Sequence, residues 1–319
     1  MPSCSDYSHL SRKTLSEKRS KQTMISRFLD YIATERQYSD LTVKAYGDDL
    51  QAFADFLKVD AAELDIRRVT TDDVQAWMIS MMDSGQSARS VKRRLSALRS
   101  YVRFCLKVGL VEHDVTQKII APKMKKTLPV FYKENEMKAE HEIIRHADDF
   151  PSKRNGLIIE MLYQTGMRRA EIAGLRDADF DLSQQQVRIF GKRRKERIVP
   201  FGNPLRDMIT DYLQMRSEQL GGLKPETFFC RENGQPLSVD DIYNIVRRMM
   251  SEVSTLKKQS PHVLRHTFAT TMLNNGADIN TIKTLMGHAS LAATEIYTHT
   301  TFDQVRQAYH NAHPRERKQ

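Results

Sequence analysis

The 319-residue sequence predicts a mainly α-helical chain with a small β-sheet confined to its second half, arranged as two domains. Three observations lead there. Four stretches of helical periodicity follow one another before residue 110. A stretch with two prolines and several lysines, but no periodicity, comes next. Beyond it an apolar helix is followed by two β-rich runs around a basic turn.

Taken in order, residues 1–21 are polar, rich in Ser, Lys and Arg, and read as a disordered basic extension. "MISRFLDYIATER" then sets Ile25, Phe28, Leu29 and Ile32 on one helical face. "SDLTVKAYGDDLQAFADFL" offers Ser39 as a cap, with Val43, Tyr46, Leu50, Phe53 and Leu57 at helical intervals. "TTDDVQAWMISMMDSG" opens on a Thr/Asp cap and closes at Gly85.

The fourth stretch, "SARSVKRRLSALRSYVRFCLKVG", places Val91, Leu95, Leu98 and Val102 on one stripe. Arg89, Lys92, Arg93, Arg99 and Arg103 crowd the other side. A solvated surface helix would alternate Glu with Lys for support across one turn. This segment holds no acidic residue, which points to a face that meets phosphates. The expected organisation is therefore the extension at 1–21, a helical DNA-binding domain over 22–121, a linker at 122–128 and a second domain over 129–319.

A net charge of +10 favours polyanionic partners, nucleic acid first and acidic membrane surfaces second. No apolar run is long enough to span a bilayer, and the N-terminus lacks the apolar core of a secretory signal. Cys4, Cys105 and Cys230 are far apart and odd in number, which gives no disulfide framework and no CxxC metal pair. A cytoplasmic location follows.

Four segments of the second half place cations in unusual ways. "TGMRRAEI" sets Arg168 at a helix start, where backbone N–H groups also favour an anion. "FGKRRKERIVP" carries Lys192 at a hairpin tip, and "PHVLRH" puts His262 and Arg265 one helical turn apart. "LMGHASLAATEIYTH" supplies His288 and Tyr297. This ordered set resembles that of the tyrosine recombinases, the integrase family of site-specific DNA recombinases, and within them the Xer type. Its signature is an Arg in TGxR, a Lys in a β-hairpin, HxxR, a second His or Trp, and a Tyr.

The resemblance spans roughly residues 24 to 315. It implies an N-terminal core-binding (SAM-like) domain and a C-terminal α+β catalytic domain, closing as a two-domain clamp on DNA. Tyr297 would be the nucleophile, forming a covalent 3′-phosphotyrosine without metal, cofactor or ATP. Arg168 and Arg265 suit the phosphate clamp, Lys192 the general acid and His262 the general base or proton shuttle. His288 would hydrogen-bond the developing charge, and Glu171 would orient Arg168 from behind.

Arg169 and Lys195 compete with Arg168 and Lys192 for their roles, while His266 and His299 read as structural or positional. The resemblance further implies a double-stranded recombination site and a homo- or hetero-tetramer on two such sites. A second Xer-type recombinase or an activating protein is a possible partner. The segment "FDQVRQAYHNAHPR" is similar to the part of the family that docks on a neighbouring protomer. Chromosome dimer resolution and mobile-element integration or excision both fit. Two alternatives stay open: DNA relaxation of the type IB topoisomerase kind, and a catalytically silent DNA-binding protein of the same fold.

Overall fold

A computed structural model describes residues 23–123, 130–191, 196–287 and 299–316, with the backbone alone for 299–302. The expected extension at 1–21 and most of the expected linker lie outside the described residues. The chain divides into two units, Met1–Thr127 and Leu128–Gln319.

The first unit is helical: α1 (Met24–Thr34), α2 (Asp40–Phe56), α3 (Thr71–Asp83) and α4 (Ala88–Lys107). Each begins where its sequence supplies a cap. The Thr23 hydroxyl accepts from Ser26 N–H, Thr70 and Asp73 form a reciprocal capping box, and Ser87 accepts from Ser90 N–H. Ser39 sits at the start of α2, but its hydroxyl meets that of Thr42 rather than a backbone N–H. The apolar stripes converge on one core that includes Phe28, Leu50, Phe53, Trp77, Val91, Leu95, Leu98 and Val102. Phe53 and Trp77 meet with ring centroids 4.8 Å apart.

The row of cations on α4 differs from its expected form. Arg89, Lys92 and Arg103 are exposed. Arg93 forms a two-pronged ion pair with Asp49 of α2, a carboxylate only 2% exposed, with Nη2 2.7 Å from Oδ1. Arg99 donates to the carbonyl of Ile119 at 2.5 Å. Two of the five cations therefore serve the unit's own packing as well as its surface. Burial raises the Asp49 pKa, outweighing the hydrogen bond and charge of Arg93 that oppose it.

The second unit mixes classes. It runs α5 (Glu134–Arg145), α6 (Phe150–Thr165), α7 (Arg169–Ala173), β1 (Phe180–Asp181), β2 (Gln186–Phe190) and β3 (Glu196–Pro200). Then follow α8 (Asn203–Gln219), α9 (Val239–Val253), α10 (Pro261–Asn274), α11 (Ile279–Met286) and α12 (His299–Ala312). The strands form one antiparallel sheet in the order β1-β2-β3, with Val187 opposite Val199 and Ile189 opposite Arg197. The two-residue β1 adds a third strand to the two that the β-rich runs predict.

Helix α6 is buried nearly all round, which is why its sequence shows an apolar run rather than a stripe. It packs against α8 and α10. It ends at Gly166, whose φ of +60° is left-handed; an added Cβ there would lie 2.5 Å from the Phe268 ring. The chain then turns into α7 and carries Arg168 to its start. Among the described residues, no helix is long and apolar enough to cross a membrane.

Candidate active site

Three arginines meet here, one from a turn, one from a helix and one from a strand. The first comes from the α6–α7 turn. Arg168 caps α7: its backbone N–H donates to Glu171 Oε2 at 2.8 Å, and its Nη1 to Glu171 Oε1 at 2.9 Å. The Glu171 side chain is buried and that of Arg168 is 43% exposed, so the carboxylate holds the guanidinium from the protein side.

The second arginine comes from α10. Arg265 is 4% exposed and reaches between the C-terminal ends of two helices. Its Nη1 donates to the carbonyl of Gly166, just past α6, and its Nη2 to that of Met286, the last residue of α11, at 2.5 Å. Both acceptors belong to helix ends, where carbonyls lack helical partners and the dipole favours a cation. Burial, and then the neighbouring Arg168, pull the Arg265 pKa down to about 10, so the group stays charged at neutral pH. Two of its five N–H donors are committed to these carbonyls.

The third arginine, Arg197 on β3, is not among the residues that motif spacing singles out. It is 6% exposed. Its Nη1 and Nη2 donate to the two Glu171 oxygens at 3.0 and 2.8 Å, and its Nε to the carbonyl of Leu285 at 2.8 Å. Gly287, with a φ of +62°, lies over it: a Cβ there would sit 3.1 Å from Arg197 Nη1. The signal that reveals it is strand alternation. Residues two apart share a face, so the inward Val199 implies an inward Arg197 despite the charged run around it.

Glu171 thus accepts four hydrogen bonds, one on each oxygen from each arginine when the Arg168 backbone is included. Burial works to raise its pKa; the hydrogen bonds and charge of Arg197, then those of Arg168, bring it below the ordinary carboxylate value.

A cleft of about 320 Å³ opens beside Arg168 and Arg265, and Arg169, Tyr243, Lys258 and His262 also line it. His262 stands one turn before Arg265, its ring edge-on to that of His266 with centroids 4.6 Å apart. Burial, then His266, Lys258 and Arg265, hold its pKa below the ordinary imidazole value. Arg169 turns to Asp240 at 3.6 Å and to the face of Tyr243, so the two adjacent arginines part company, and only Arg168 joins Glu171. Of the sequence-derived set, the fold brings Arg168, Glu171, His262 and Arg265 together. Lys192, Lys195, His288 and Tyr297 lie outside the described residues, as does the side chain of His299.

The C-terminal residues pack on their own unit. His313 is fully buried beside Tyr163 and Tyr309. Arg315 donates to the buried Glu160 at 2.6 Å, and the Asn275 amide to the carbonyl of Ala312 at 2.7 Å.

The phage integrase family matches residues 133–304, and the N-terminal SAM-like domain of phage integrases matches residues 25–109. The chain is 38% identical over 291 residues to the tyrosine recombinase XerC of Listeria innocua serovar 6a, covering 91% of this chain and 97% of that protein. It is 37% identical over 295 residues to the tyrosine recombinase XerC of Pediococcus pentosaceus, covering 92% and 98%. In fold it is similar to the Tn1549 transposon integrase solved with transposon right-end DNA, with a TM-score of 0.67, 18% identity and 90% and 98% coverage. It is likewise similar to the XerH recombinase bound to difH substrate in a post-cleavage complex, with a TM-score of 0.65, 23% identity and 89% and 83% coverage. A helical SAM-like unit followed by a mixed unit with clustered arginines, and relatives alike over nine-tenths of its length, place this chain in the tyrosine recombinase (phage integrase) family.

Proposed function

We propose that the protein is an Xer-like site-specific recombinase, which cuts and rejoins DNA through a 3′-phosphotyrosine. The observation that carries this reading is the pairing of Arg168 and Arg265 on one cleft with His262, each guanidinium anchored from behind. Two permanently charged planar forks suit the non-bridging oxygens of a phosphodiester. Anchoring them beforehand removes reorganisation from the chemical step.

In this scheme the Tyr297 oxygen attacks the scissile phosphorus in line with the departing 5′ oxygen. The phosphorus–tyrosine bond forms as the phosphorus–O5′ bond breaks. The phenolic proton passes to His262, which is neutral at working pH, and Lys192 protonates the leaving oxygen. His288 donates to the charge on the phosphoryl oxygens. The phosphodiester energy is retained in the tyrosyl ester, so the incoming 5′ hydroxyl of another strand reverses the step without ATP. The bond from Arg265 to Met286 supports a shared site, because it ties that guanidinium to a residue just before the segment that carries His288 and Tyr297.

The DNA partner is a double-stranded recombination site, with Arg89, Lys92, Arg93, Arg99 and Arg103 facing its backbone. The working assembly is a tetramer of recombinase protomers exchanging strands through a Holliday junction, in the cytoplasm on the nucleoid. The chain's domains act as the helical binding unit over 22–121, the linker at 122–128 and the catalytic unit over 129–319.

The test is covalent capture. The protein is incubated with a pool of nicked duplexes made from the source genome, and protein-linked DNA is recovered and sequenced. One recurrent cleaved sequence supports recombination. Cleavage without sequence preference favours relaxation of the topoisomerase kind, and no adduct on any duplex rejects the enzymatic reading.

A further inference from the structure

We propose that Arg197 is a positioning residue for DNA cleavage, which occupies Glu171 so that Glu171 cannot close on the phosphate-binding edge of Arg168. The inference rests on the reading of Arg168 as a phosphate ligand.

A carboxylate facing a single arginine tends toward the fork-to-fork pair, with two parallel N–H···O bonds. That geometry is not reached between Glu171 and Arg168. Glu171 Oε1 accepts one bond from Arg168 Nη1 at 2.9 Å, while its other oxygen takes the Arg168 backbone N–H at 2.8 Å. The parallel pair is formed with Arg197 instead, at 3.0 and 2.8 Å. All four lone-pair directions of Glu171 are then used. Arg168 is bonded to Glu171 through one guanidinium nitrogen, Nη1, and its side chain is still 43% exposed.

Arg197 is itself held at a third point, its Nε on the carbonyl of Leu285 at 2.8 Å, with Gly287 packed over it. Its hold on Glu171 is thus fixed to the end of α11, the same helix end that Arg265 grips one residue later. A glutamate released from Arg197 would have two free oxygen directions in a buried place, with the Arg168 guanidinium as the nearest donor. It would pair with Arg168 in full and compete with the DNA phosphate for the same N–H groups.

The experiment compares Arg197→Gln, Arg197→Lys and the double variant Arg197→Gln/Glu171→Gln on the nicked duplex recovered with the wild-type protein. Thermal melting runs alongside. Single-turnover adduct formation is expected to fall by about tenfold to a hundredfold in Arg197→Gln, the scale of a misplaced positioning group. It should fall less in Arg197→Lys, which keeps the charge but lacks the planar fork that makes two parallel bonds. The decisive readout is the double variant: a neutral amide at 171 cannot sequester Arg168, so most of the lost rate should return. A residue that only supports the fold would show no such return. The inference is overturned if folded Arg197→Gln cleaves within about twofold of wild type, or if the double variant is no faster than the single. If Arg197→Gln does not fold, the same comparison is made with Arg197→Lys and Arg197→Lys/Glu171→Gln, read by the same criterion. Absence of adduct with the wild-type protein would instead reject the recombinase reading itself.

Discussion

The Arg265 guanidinium donates to the main-chain carbonyl of Met286 at 2.5 Å, and to that of Gly166 on the other side. One buried side chain therefore sets the separation between the ends of α6 and α11, while the α6–α7 turn delivers Arg168 and the α11 end leads toward His288. A lysine at 265 keeps the charge but cannot span two carbonyls in a plane. Arg265→Lys is expected to lower single-turnover cleavage by about a hundredfold, since the clamp loses its geometry. The carbonyl left unpaired should lower unfolding stability by about 1–3 kcal/mol in denaturant melts.

Gly166 tests the same relationship through the backbone. Its φ of +60° and the Phe268 ring 2.5 Å from an added Cβ both oppose any side chain there. Gly166→Ala is expected to destabilise the second unit by about 2 kcal/mol or more, measured by chemical denaturation. A loss below about 0.5 kcal/mol would mean that the turn relaxes freely.

His262 gives a pH dependence with a definite sign. Burial, His266, Lys258 and Arg265 all depress its pKa, so the ring stays neutral, as the proposed base must be, to lower pH than a free imidazole. The acid limb of the cleavage-rate profile should have its midpoint below about 6.5. Lys258→Gln removes one depressing charge, and should move that midpoint upward. A midpoint that moves down, or not at all, contradicts the electrostatic account of the cleft.

His313 carries a stability prediction. Its burial pushes the folded pKa down to about 4. Between the unfolded value of about 6.5 and the folded one, the unfolded chain binds more protons, so this stability is complete above 6.5 and is lost as pH falls toward 4. At pH 5 the loss from this residue is about 2 kcal/mol. His313→Leu should show a correspondingly smaller drop in unfolding free energy between pH 7 and pH 5 than the wild-type protein. Equal drops would mean that His313 reaches water in the folded state.

The two arginine-rich regions are legible in the sequence to different depths. The helices of the first unit follow from single-segment periodicity and caps, because each apolar stripe is local information. The partner of Arg93 does not follow, since Asp49 lies on another helix and a helical wheel has no neighbours. For the same reason α4 by itself looks wholly uncompensated. In the second unit Arg168, His262 and Arg265 stand out by spacing, and Glu171 by its place one turn from Arg168. Arg197 hides within "KRRKER", where five cations in six residues read as a solvated tip. Its burial is decided by pairing with β2, which puts Ile189 and Arg197 on one face and leaves Ile198 more exposed than its neighbours. The short β1 lacks enough residues to show any period.

Asp49 makes the proposed DNA-facing role of α4 testable residue by residue. Lys92 is exposed, whereas Arg93 is paired. Lys92→Ala should weaken binding to duplex DNA and reduce the slope of log affinity against log salt by about 0.9 for each phosphate that is no longer neutralised. Arg93→Ala should also destabilise the first unit, by about 1 kcal/mol, because the exposed half of the pair is screened but Asp49 is left buried without its main partner. Identical stabilities for the two variants would contradict the division of labour along α4.

The central claim is that this cleft exists to make Tyr297 cut a phosphodiester. It is tested most directly by denaturing electrophoresis of the protein after incubation with a nicked duplex of the recovered cleavage sequence. Wild type should yield a covalent protein–DNA band that protease removes, while Tyr297→Phe should bind the same duplex with similar affinity and yield none. A covalent band of wild-type intensity from Tyr297→Phe would contradict the account.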